Sequence, residues 1–337
     1  MNYFKSLVIK LINLMQKYPG LLAVLAFSSG IASYVLVERK ASLAQFIAVL
    51  LLFSWVWLLI DNWLRETVEQ RFGLALSPNI MRFVLQMVHQ ESLFFALPFF
   101  LAVTSWNHPQ AVFTALILLC ALVSLIDPLY YKKLAPNRTL FVIFHTFSLF
   151  VVLLVILPIL LNLTTSQSLA AALIIAIALT IPSLDSLMPN VRWWRLPLLL
   201  IVLGSLSAGI WQLRSWVPPA ALRLTGMTLS HEVDLKQRKP GTSVKILDAY
   251  ALHRQGLYSW TAVKAPRGLN EKIYHVWLHN NKEVDRITLD ITGGRDQGYR
   301  AWTHKVNFPA EAVGKWQVKV VTESEQLIGL SKFVVTP

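Results

Sequence analysis

Long stretches without charged residues occupy the first two thirds of this 337-residue chain, and they constrain its fold more than any other feature. Apolar stretches of about 17 to 25 residues are long enough to cross a lipid bilayer as helices. We predict a transmembrane helical bundle of about seven spans over residues 20–213, or six if the fourth or sixth is too short. The predicted spans are Leu21–Val37, Ala41–Ile60, Phe83–Trp106, Ala111–Ile126, Leu140–Leu161, Leu169–Leu184 and Leu196–Leu213.

The last third of the chain has a different composition. Residues 1–213 contain 20 charged side chains, whereas the 124 residues that follow contain 29. The net charge of +13 is typical of a nucleic-acid binder, but the basic residues are spread over both parts and do not form one patch. The contrast in charge density therefore predicts one part in lipid and one in water, and no nucleic-acid partner.

Basic residues in the short loops predict the orientation. Eleven Lys and Arg residues fall on the side of the N-terminus, and only Arg39 and Lys40 fall on the opposite side. The loops Thr104–Gln110 and Asn162–Ser168, also on that opposite side, contain none. By the positive-inside rule, the N-terminus is cytoplasmic and the C-terminal part is periplasmic, which predicts a multi-pass protein of a bacterial inner membrane.

Three segments flank the predicted spans. Residues 1–19 form a basic amphipathic helix that we expect to lie on the cytoplasmic lipid surface, although packing against the bundle is an alternative. Asp61–Phe72 is a second polar helix on the same side, and residues 214–225 are a linker. Membrane lipids are therefore expected partners.

Polar residues inside the predicted spans form the first candidate site. Ionisable groups in lipid are costly and often functional, and a carboxylate between two imidazoles could relay protons, hold a metal or bind a head group. The alternative is an internally paired network that only holds the helices together. Because the histidines lack helical metal-ligand spacing, we expect no metal. The candidate residues are His89, Gln90, Glu91, Asp127, His145 and Asp185.

From residue 226 onward, the hydrophobic pattern changes to the two-residue period of strands. Eight short strands without a helix predict an all-β, immunoglobulin-like sandwich over residues 226–337, with a small closed barrel as the alternative. The predicted strands are Met227–Asp234, Ser243–Ala251, Ser259–Val263, Lys272–Leu278, Val284–Ile291, Tyr299–Val306, Lys315–Val321 and Leu327–Val335.

The run from Gly293 to Lys305, GGRDQGYRAWTHK, is the most unusual segment of this part. Strand alternation puts Arg300, Trp302 and His304 on one face, which is not a typical core face. They could bind a sugar or an anionic envelope polymer, or the tryptophans could instead be core residues beside shaping glycines. The candidate surface comprises Trp277, Arg295, Asp296, Arg300, Trp302, His304 and Lys305.

Several short motifs of the last third resemble a known bacterial family. Ile273–Trp277 reads IYHVW, Val284–Arg286 reads VDR, and these precede the GGRDQGYRAWTHK run, the sequence GKW from Gly314 and QLIG from Gln326. This combination resembles domain of unknown function 2914, found here behind a multi-span membrane module. The resemblance implies a Gram-negative inner-membrane protein with a periplasmic β domain, and it supplies no activity and no catalytic residues.

No GxSxG, HExxH, CxxC or P-loop pattern is present, so we expect no catalytic set and no cofactor. The leading hypothesis is a non-enzymatic membrane protein whose β domain binds an envelope component, such as a glycan or peptidoglycan, or a protein partner. The alternatives are a transporter or flippase-like bundle that uses the intramembrane His/Glu cluster, and a membrane-embedded transferase.

Overall fold

The computed structural model describes residues 28, 32, 41–59, 78–184 and 196–337. The predicted amphipathic helix 1–19, the first predicted span apart from residues 28 and 32, the segment Asp61–Phe72 and Asp185 lie outside the described residues. The described chain divides into two compact units. The first holds the residues up to Pro98 together with Ala115–Ile156 and Ala172–Ile201, and the second holds Phe99–Thr114, Leu157–Ala171 and Val202–Pro337.

Apolar helices fill the N-terminal two thirds of the described chain, in the places where spans two to seven are predicted. They end within a few residues of the predicted limits because charged, polar or proline residues bound each apolar stretch. A short 3-10 turn, Arg214–Trp216, follows the last one. The helices are α1 (Ala41–Leu59), α2 (Pro78–Val103), α3 (Gln110–Leu125), α4 (Asp127–Leu129, continued by a π-helix at Tyr130–Leu134), α5 (Arg138–Leu161), α6 (Thr165–Leu184) and α7 (Leu196–Gln212).

Two of these helical segments, Arg82–Val103 and Arg138–Leu161, are long and apolar enough to cross a membrane. A third candidate is the pair Gln110–Leu125 and Asp127–Leu134, which is bent by 95°. Shorter apolar segments occur at Gln45–Val56 and Thr165–Leu179. By length and composition, the described residues therefore contain two or three candidate spans, fewer than the predicted seven.

The C-terminal third is a β-sandwich of two separate sheets. The strands are β1 (Arg223–Ser230), β2 (Val233–Asp234), β3 (Lys239–Pro240), β4 (Ile246–Asp248), β5 (Leu257–Lys264), β6 (Asn270–His279), β7 (Lys282–Thr292), β8 (Tyr299–Lys305), β9 (Gly314–Thr322) and β10 (Leu327–Thr336). The three-stranded sheet has the order β1-β5-β8, the five-stranded sheet has the order β4-β10-β9-β6-β7, and β2 pairs with β3 in a small hairpin. All pairs are antiparallel except β4 with β10.

Apolar side chains at alternate positions of the strands build the core between the sheets. Trp277 and Trp316 are fully buried and pack with Phe333, while Ile273 and Val320 form a neighbouring cluster. Burial of such side chains stabilises the fold by about 1.5–3 kcal/mol each. The predicted linker 214–225 also joins the packed structure, because Leu222 is completely buried in the second cluster.

The prediction that the β region lacks a helix is wrong. The predicted strand Ser243–Ala251 is a short strand, β4, that runs directly into helix α8 (Ala249–Gln255). The Asp248 side chain caps this helix by accepting a hydrogen bond from the Ala251 amide at 3.2 Å. Gly256 ends it with a φ of 68°, a conformation that favours glycine.

A histidine joins the two sheets inside the sandwich. His275 of β6 is completely buried, and its two ring nitrogens contact the hydroxyl groups of Thr261 at 3.1 Å and Thr303 at 2.9 Å. Burial lowers the pKa of His275 to about 3. The imidazole is therefore neutral in the folded protein at neutral pH, with both nitrogens hydrogen bonded across the core.

This arrangement predicts an acid-sensitive sandwich. The unfolded imidazole has a pKa of about 6.5, so the contribution of His275 to stability is complete above that pH and is lost as the pH falls towards 3. Thermal unfolding of the full-length protein between pH 7.5 and 4 should show this loss, and His275→Gln should flatten the profile. His275→Gln should also cost about 1–3 kcal/mol at neutral pH by leaving a threonine hydroxyl unpaired.

The exposed His253 provides the control for that titration. His253→Gln should keep the wild-type pH profile. An unchanged profile in His275→Gln would contradict the assignment of the effect to His275.

Candidate functional site

Two predicted site residues of the first compact unit are in direct contact. His89 of α2 and His145 of α5 face each other with Nε2 of the first 2.9 Å from Nδ1 of the second. The other ring nitrogen of His89 lies 2.9 Å from the hydroxyl of Tyr130. His89 and Tyr130 are almost completely buried, whereas His145 is half-buried. Sequence reasoning missed Tyr130.

The remaining members of the predicted cluster have other surroundings. Asp127 accepts a hydrogen bond from the Gln86 side-chain amide at 2.8 Å, and that amide also donates to the carbonyl of Ser124 at 3.0 Å. Gln90 is buried and Glu91 is half-buried in α2. No group of three His, Cys, Asp or Glu side chains that could hold a metal occurs in the described residues.

The predicted surface of the sandwich is built on β8. The burial of this strand alternates, with Ala301 and Thr303 inside and Arg300, Trp302 and His304 facing outward. The outward residues pair with β5: His304 stacks on Tyr258 with ring centroids 3.9 Å apart.

Two residues of the predicted surface lie inside the sandwich. Trp277 is fully buried because it occupies an inward position of β6 between Phe308 and Phe333. Lys305 is only 5% exposed because it follows Thr303 on the inward face of β8, and its ammonium group forms an ion pair with Asp285. Neither side chain is available as part of an exposed binding surface.

The β2–β3 hairpin covers part of the outward face. The indole nitrogen of Trp260 donates to the carbonyl of Arg238 at 3.1 Å, and the Arg238 guanidinium lies 5.9 Å from the ring centroid of Trp302. Arg238 has a φ of 52°, so the turn that carries it is tightly folded. The aromatic residues on this face therefore support a basic turn.

A cleft of about 360 Å³, which we call the basic cleft, lies between this turn and the loop before β8. Arg300 is fixed there by hydrogen bonds to the Gln237 carbonyl at 3.0 Å and to Oε1 of Gln297 at 2.7 Å. No carboxylate is among the described residues that line it. The basic cleft is lined by Lys236, Gln237, Arg238, Arg295, Gln297, Gly298 and Arg300.

Asp296, which the sequence places beside Arg295, is exposed and does not line the basic cleft. The Arg295 guanidinium lies 5.1 Å from the ring centroid of Tyr299. Cation–π contacts of this kind hold a guanidinium in place while leaving most of its N–H donors free for a ligand.

Buried polar contacts within the second unit join the sandwich to the helix ends. The Glu271 carboxylate accepts hydrogen bonds from the amide and the hydroxyl of Thr165, both at 2.8 Å, at the start of α6. The Gln110 side chain, at the start of α3, donates to the carbonyl of Leu327 at 3.0 Å. Gln326 donates to the carbonyl of Val217 at 3.0 Å. We call these three contacts the anchors.

The Glu271 anchor carries an electrostatic cost. The side chain is 3% exposed, and burial raises the pKa of its carboxyl although the hydrogen bonds from Thr165 act in the opposite direction. A carboxylate at the first turn of a helix also interacts favourably with the helix dipole. A cleft of about 390 Å³ with the exposed Glu323 on its wall lies beside this contact.

Two family models match the chain. One, described as a family of unknown function (DUF5924), covers residues 1–259, more than three quarters of the sequence. The chain belongs to the DUF5924 family. The other, described as a protein of unknown function (DUF2914), covers residues 270–335 and agrees with the predicted resemblance to that domain. A comparison with curated proteins finds no match.

The boundary between the two matches cuts through the sandwich of this DUF5924 member. Strand β1 lies in the first match and β8 in the second, and both pair with β5 in the same three-stranded sheet. The two matched segments therefore build one structural domain together, and residues 270–335 alone lack the strand that β8 pairs with.

The Glu271 anchor predicts a measurable coupling. Glu271→Ala should destabilise the full-length protein by about 1–3 kcal/mol because the amide and hydroxyl of Thr165 lose their acceptor. In a double-mutant cycle with Thr165→Val, thermal unfolding should give a coupling energy of about 0.5–3 kcal/mol.

Asp290→Ala is the matched control, since this exposed carboxylate of β7 lines the neighbouring cleft and is not an anchor. It should change stability by no more than about 0.5 kcal/mol. Additive effects of the Glu271 and Thr165 substitutions would contradict the anchor.

Proposed function

We propose that this protein is a non-enzymatic, multi-pass protein of the bacterial inner membrane whose periplasmic sandwich binds an anionic envelope glycan in the basic cleft. The observation that carries the proposal is the cleft itself, which combines four cationic side chains with no carboxylate among its described lining residues. Two of its cations lie on the β2–β3 turn, and the other two lie on β8 and the loop before it, so a ligand that fits between these segments contacts both sides.

The chemistry of the cleft favours phosphate or carboxylate groups. Arginine presents five N–H donors in a planar fork that matches such anions. Arg300 uses donors to hold Gln237 and Gln297, and its remaining donors are available in a fixed orientation. The aromatic rings beneath Arg238 and Arg295 restrict those side chains before a ligand arrives, which reduces the entropic cost of binding.

The anchors support the proposed topology. The C-terminal end of α2, the start of α3, the end of α5, the start of α6 and the end of α7 all belong to the unit that contains the sandwich. Two of the anchors involve Gln110 and Thr165, which belong to the loops without basic residues that the positive-inside rule assigns to the periplasm. A helical bundle of about seven spans, with the N-terminus in the cytoplasm, is consistent with this arrangement.

We infer that the sandwich is of the immunoglobulin-like type, because two mainly antiparallel sheets enclose a core with buried tryptophans. The parallel pairing of β4 with β10 at one edge is an addition to the predicted pattern. Among the alternatives, the contact between His89 and His145 favours a transport role, and no arrangement of described residues specifically favours a transferase.

Binding experiments with the purified full-length protein test the proposal. We expect retention on isolated peptidoglycan or on an anionic cell-wall polymer, with affinity that falls as salt is raised. Arg300→Ala and Arg295→Ala should each weaken binding about tenfold, the effect expected for the loss of one charge-assisted hydrogen bond.

Lys332→Ala is the control, because Lys332 is exposed on β10 outside the basic cleft. It should bind like the wild type. Equal losses in all three variants would indicate a nonspecific charge effect, and capture of a protein rather than a glycan would replace the proposed ligand class. Either result would contradict the proposal.

A further inference from the structure

The helix ends of the second unit and the neighbouring end of the sandwich carry side chains in three successive layers. We propose that the end of the three-stranded sheet at which β1 begins binds the phosphate groups of anionic phospholipids in the periplasmic leaflet. This site is separate from the basic cleft, and the proposal rests on the proposed membrane insertion. We call its three cationic residues, Arg223, Lys264 and Arg267, the basic rim.

Exposed apolar side chains form the first layer, at the ends of three helices. Leu161 is the last residue of α5 and is 61% exposed, and Leu213, directly after α7, is 49% exposed. Leu101 near the end of α2 and Ile210 of α7 are exposed as well. Exposed apolar patches mark surfaces that meet lipid or a partner. In the proposed bilayer, the hydrocarbon layer ends close to these residues.

Two exposed tryptophans form the second layer. Trp106 lies three residues after α2 and is 57% exposed, and Trp216 lies four residues after α7 and is 39% exposed. Tryptophan is enriched at the head-group level of membranes, because its ring is apolar and its N–H group is polar. The position of both rings just beyond the apolar layer is that of residues at a lipid–water interface.

The turn between β5 and β6 brings the basic rim to this level. The Gly268 backbone packs against the side chain of Asn162, because a methyl group on Gly268 would lie only 3.2 Å from its Oδ1 atom. Asn162 directly follows Leu161, and the exposed Arg267 directly precedes Gly268. The head-group layer is roughly 5–8 Å thick on each side of a bilayer. Arg267 is therefore close enough to the apolar layer for its side chain to lie among the head groups.

The strand register brings Arg223 and Lys264 to the same edge. Strand β1 begins at Arg223, β5 ends at Lys264, and the two residues are direct partners. Their side chains are on the outward face, because the next pair, Leu224 and Val263, packs into the core. Lys264 also lies three residues before Arg267, so the three cations follow one edge of the sandwich.

The carboxylates at this end of the sandwich lie mainly on the other sheet. Asp290 of β7 and Glu323 after β9 line the cleft beside the five-stranded sheet, and Asp296 is in the loop before β8. Within the part of the chain that the structure describes, neither Lys264 nor Arg267 forms an ion pair. This separation of charge favours contact between phosphates and the end of the three-stranded sheet.

Anionic phospholipids match the chemistry of the basic rim. The guanidinium of Arg267 offers a planar fork of N–H donors for two phosphate oxygens, and the ammonium group of Lys264 offers three further donors. A zwitterionic lipid has the same phosphate, but its own ammonium group cancels the charge. Lys and Arg residues beside a membrane gain affinity for anionic lipids with each charge, so the rim predicts a preference for these lipids.

Lipid binding to the full-length protein tests the proposal. The protein is purified in a neutral detergent, and native mass spectrometry measures bound phosphatidylglycerol and phosphatidylcholine at equal concentrations. We expect phosphatidylglycerol to bind more tightly by about fivefold or more. Arg267→Gln and Lys264→Gln should each weaken its binding about fivefold, the effect of one charge beside an anionic lipid surface, and leave phosphatidylcholine binding unchanged.

Lys282→Gln is the matched control. Lys282 is exposed at the start of β7, and its strand partner is His279, at the end of β6 that is farther from Arg267. The substitution removes the same charge from the far end of the sandwich and should leave the binding of both lipids at the wild-type level. Equal losses in Lys282→Gln and in the rim variants would indicate a nonspecific charge effect and overturn the proposal.

Flotation and glycan binding separate this proposal from the proposed function. Reconstituted protein that does not float with phosphatidylglycerol vesicles would overturn the membrane insertion and the basic rim together. Protein that floats but binds both lipids equally would overturn the rim alone, as would wild-type phosphatidylglycerol binding in a Lys264→Gln, Arg267→Gln double variant that thermal unfolding shows to be folded. Loss of phosphatidylglycerol binding in that variant, with wild-type retention on peptidoglycan, would support a lipid site distinct from the basic cleft.

Discussion

The carboxylate of Glu271 joins the sandwich to the helices, and much of the arrangement depends on this contact. Both of its oxygens accept hydrogen bonds from Thr165, at the start of α6, in a site with little exposure to water. A buried carboxylate is stable only when its hydrogen bonds are satisfied, so the strand and the helix end require each other. The two further anchors, from Gln110 to Leu327 and from Gln326 to Val217, are also buried hydrogen bonds, but their donors are neutral side-chain amides.

Only noncovalent contacts hold the sandwich to the helix ends, because no disulfide is available. The single cysteine, Cys120, is buried in α3, so the chain cannot form an internal disulfide. The sandwich is instead fixed by its core, by the His275 link between its sheets and by the anchors to the helix ends. Residues 214–225 also pack against the core of the sandwich, through Leu222.

The sequence predicts the elements of this structure better than their contacts. Apolar stretches predict the described helices, and two-residue alternation correctly assigns the outward face of β8, including Arg300 and Trp302, because each pattern follows local geometry. His89 and His145, both predicted members of the first candidate site, are in contact. The anchors join residues 106, 217 and 109 positions apart, a distance at which composition and periodicity contain no information. Tyr130 was missed because it lies between the fourth and fifth predicted spans, and Lys305 was misassigned because the ion pair with Asp285 makes an inward lysine tolerable.

Hydrogen exchange at the Thr165 amide tests the central claim most directly, because this amide donates to Glu271 and lies in the first turn of α6, where no helical acceptor is available. In the full-length protein, we predict exchange that is slowed by several orders of magnitude relative to an exposed amide, together with the slow exchange of the sandwich core. In Glu271→Ala, the same amide should exchange at a rate close to that of an exposed loop while the core remains protected. Fast exchange of Thr165 in the wild type, or unchanged protection in the variant, would contradict the account that the sandwich is fastened to the helix ends.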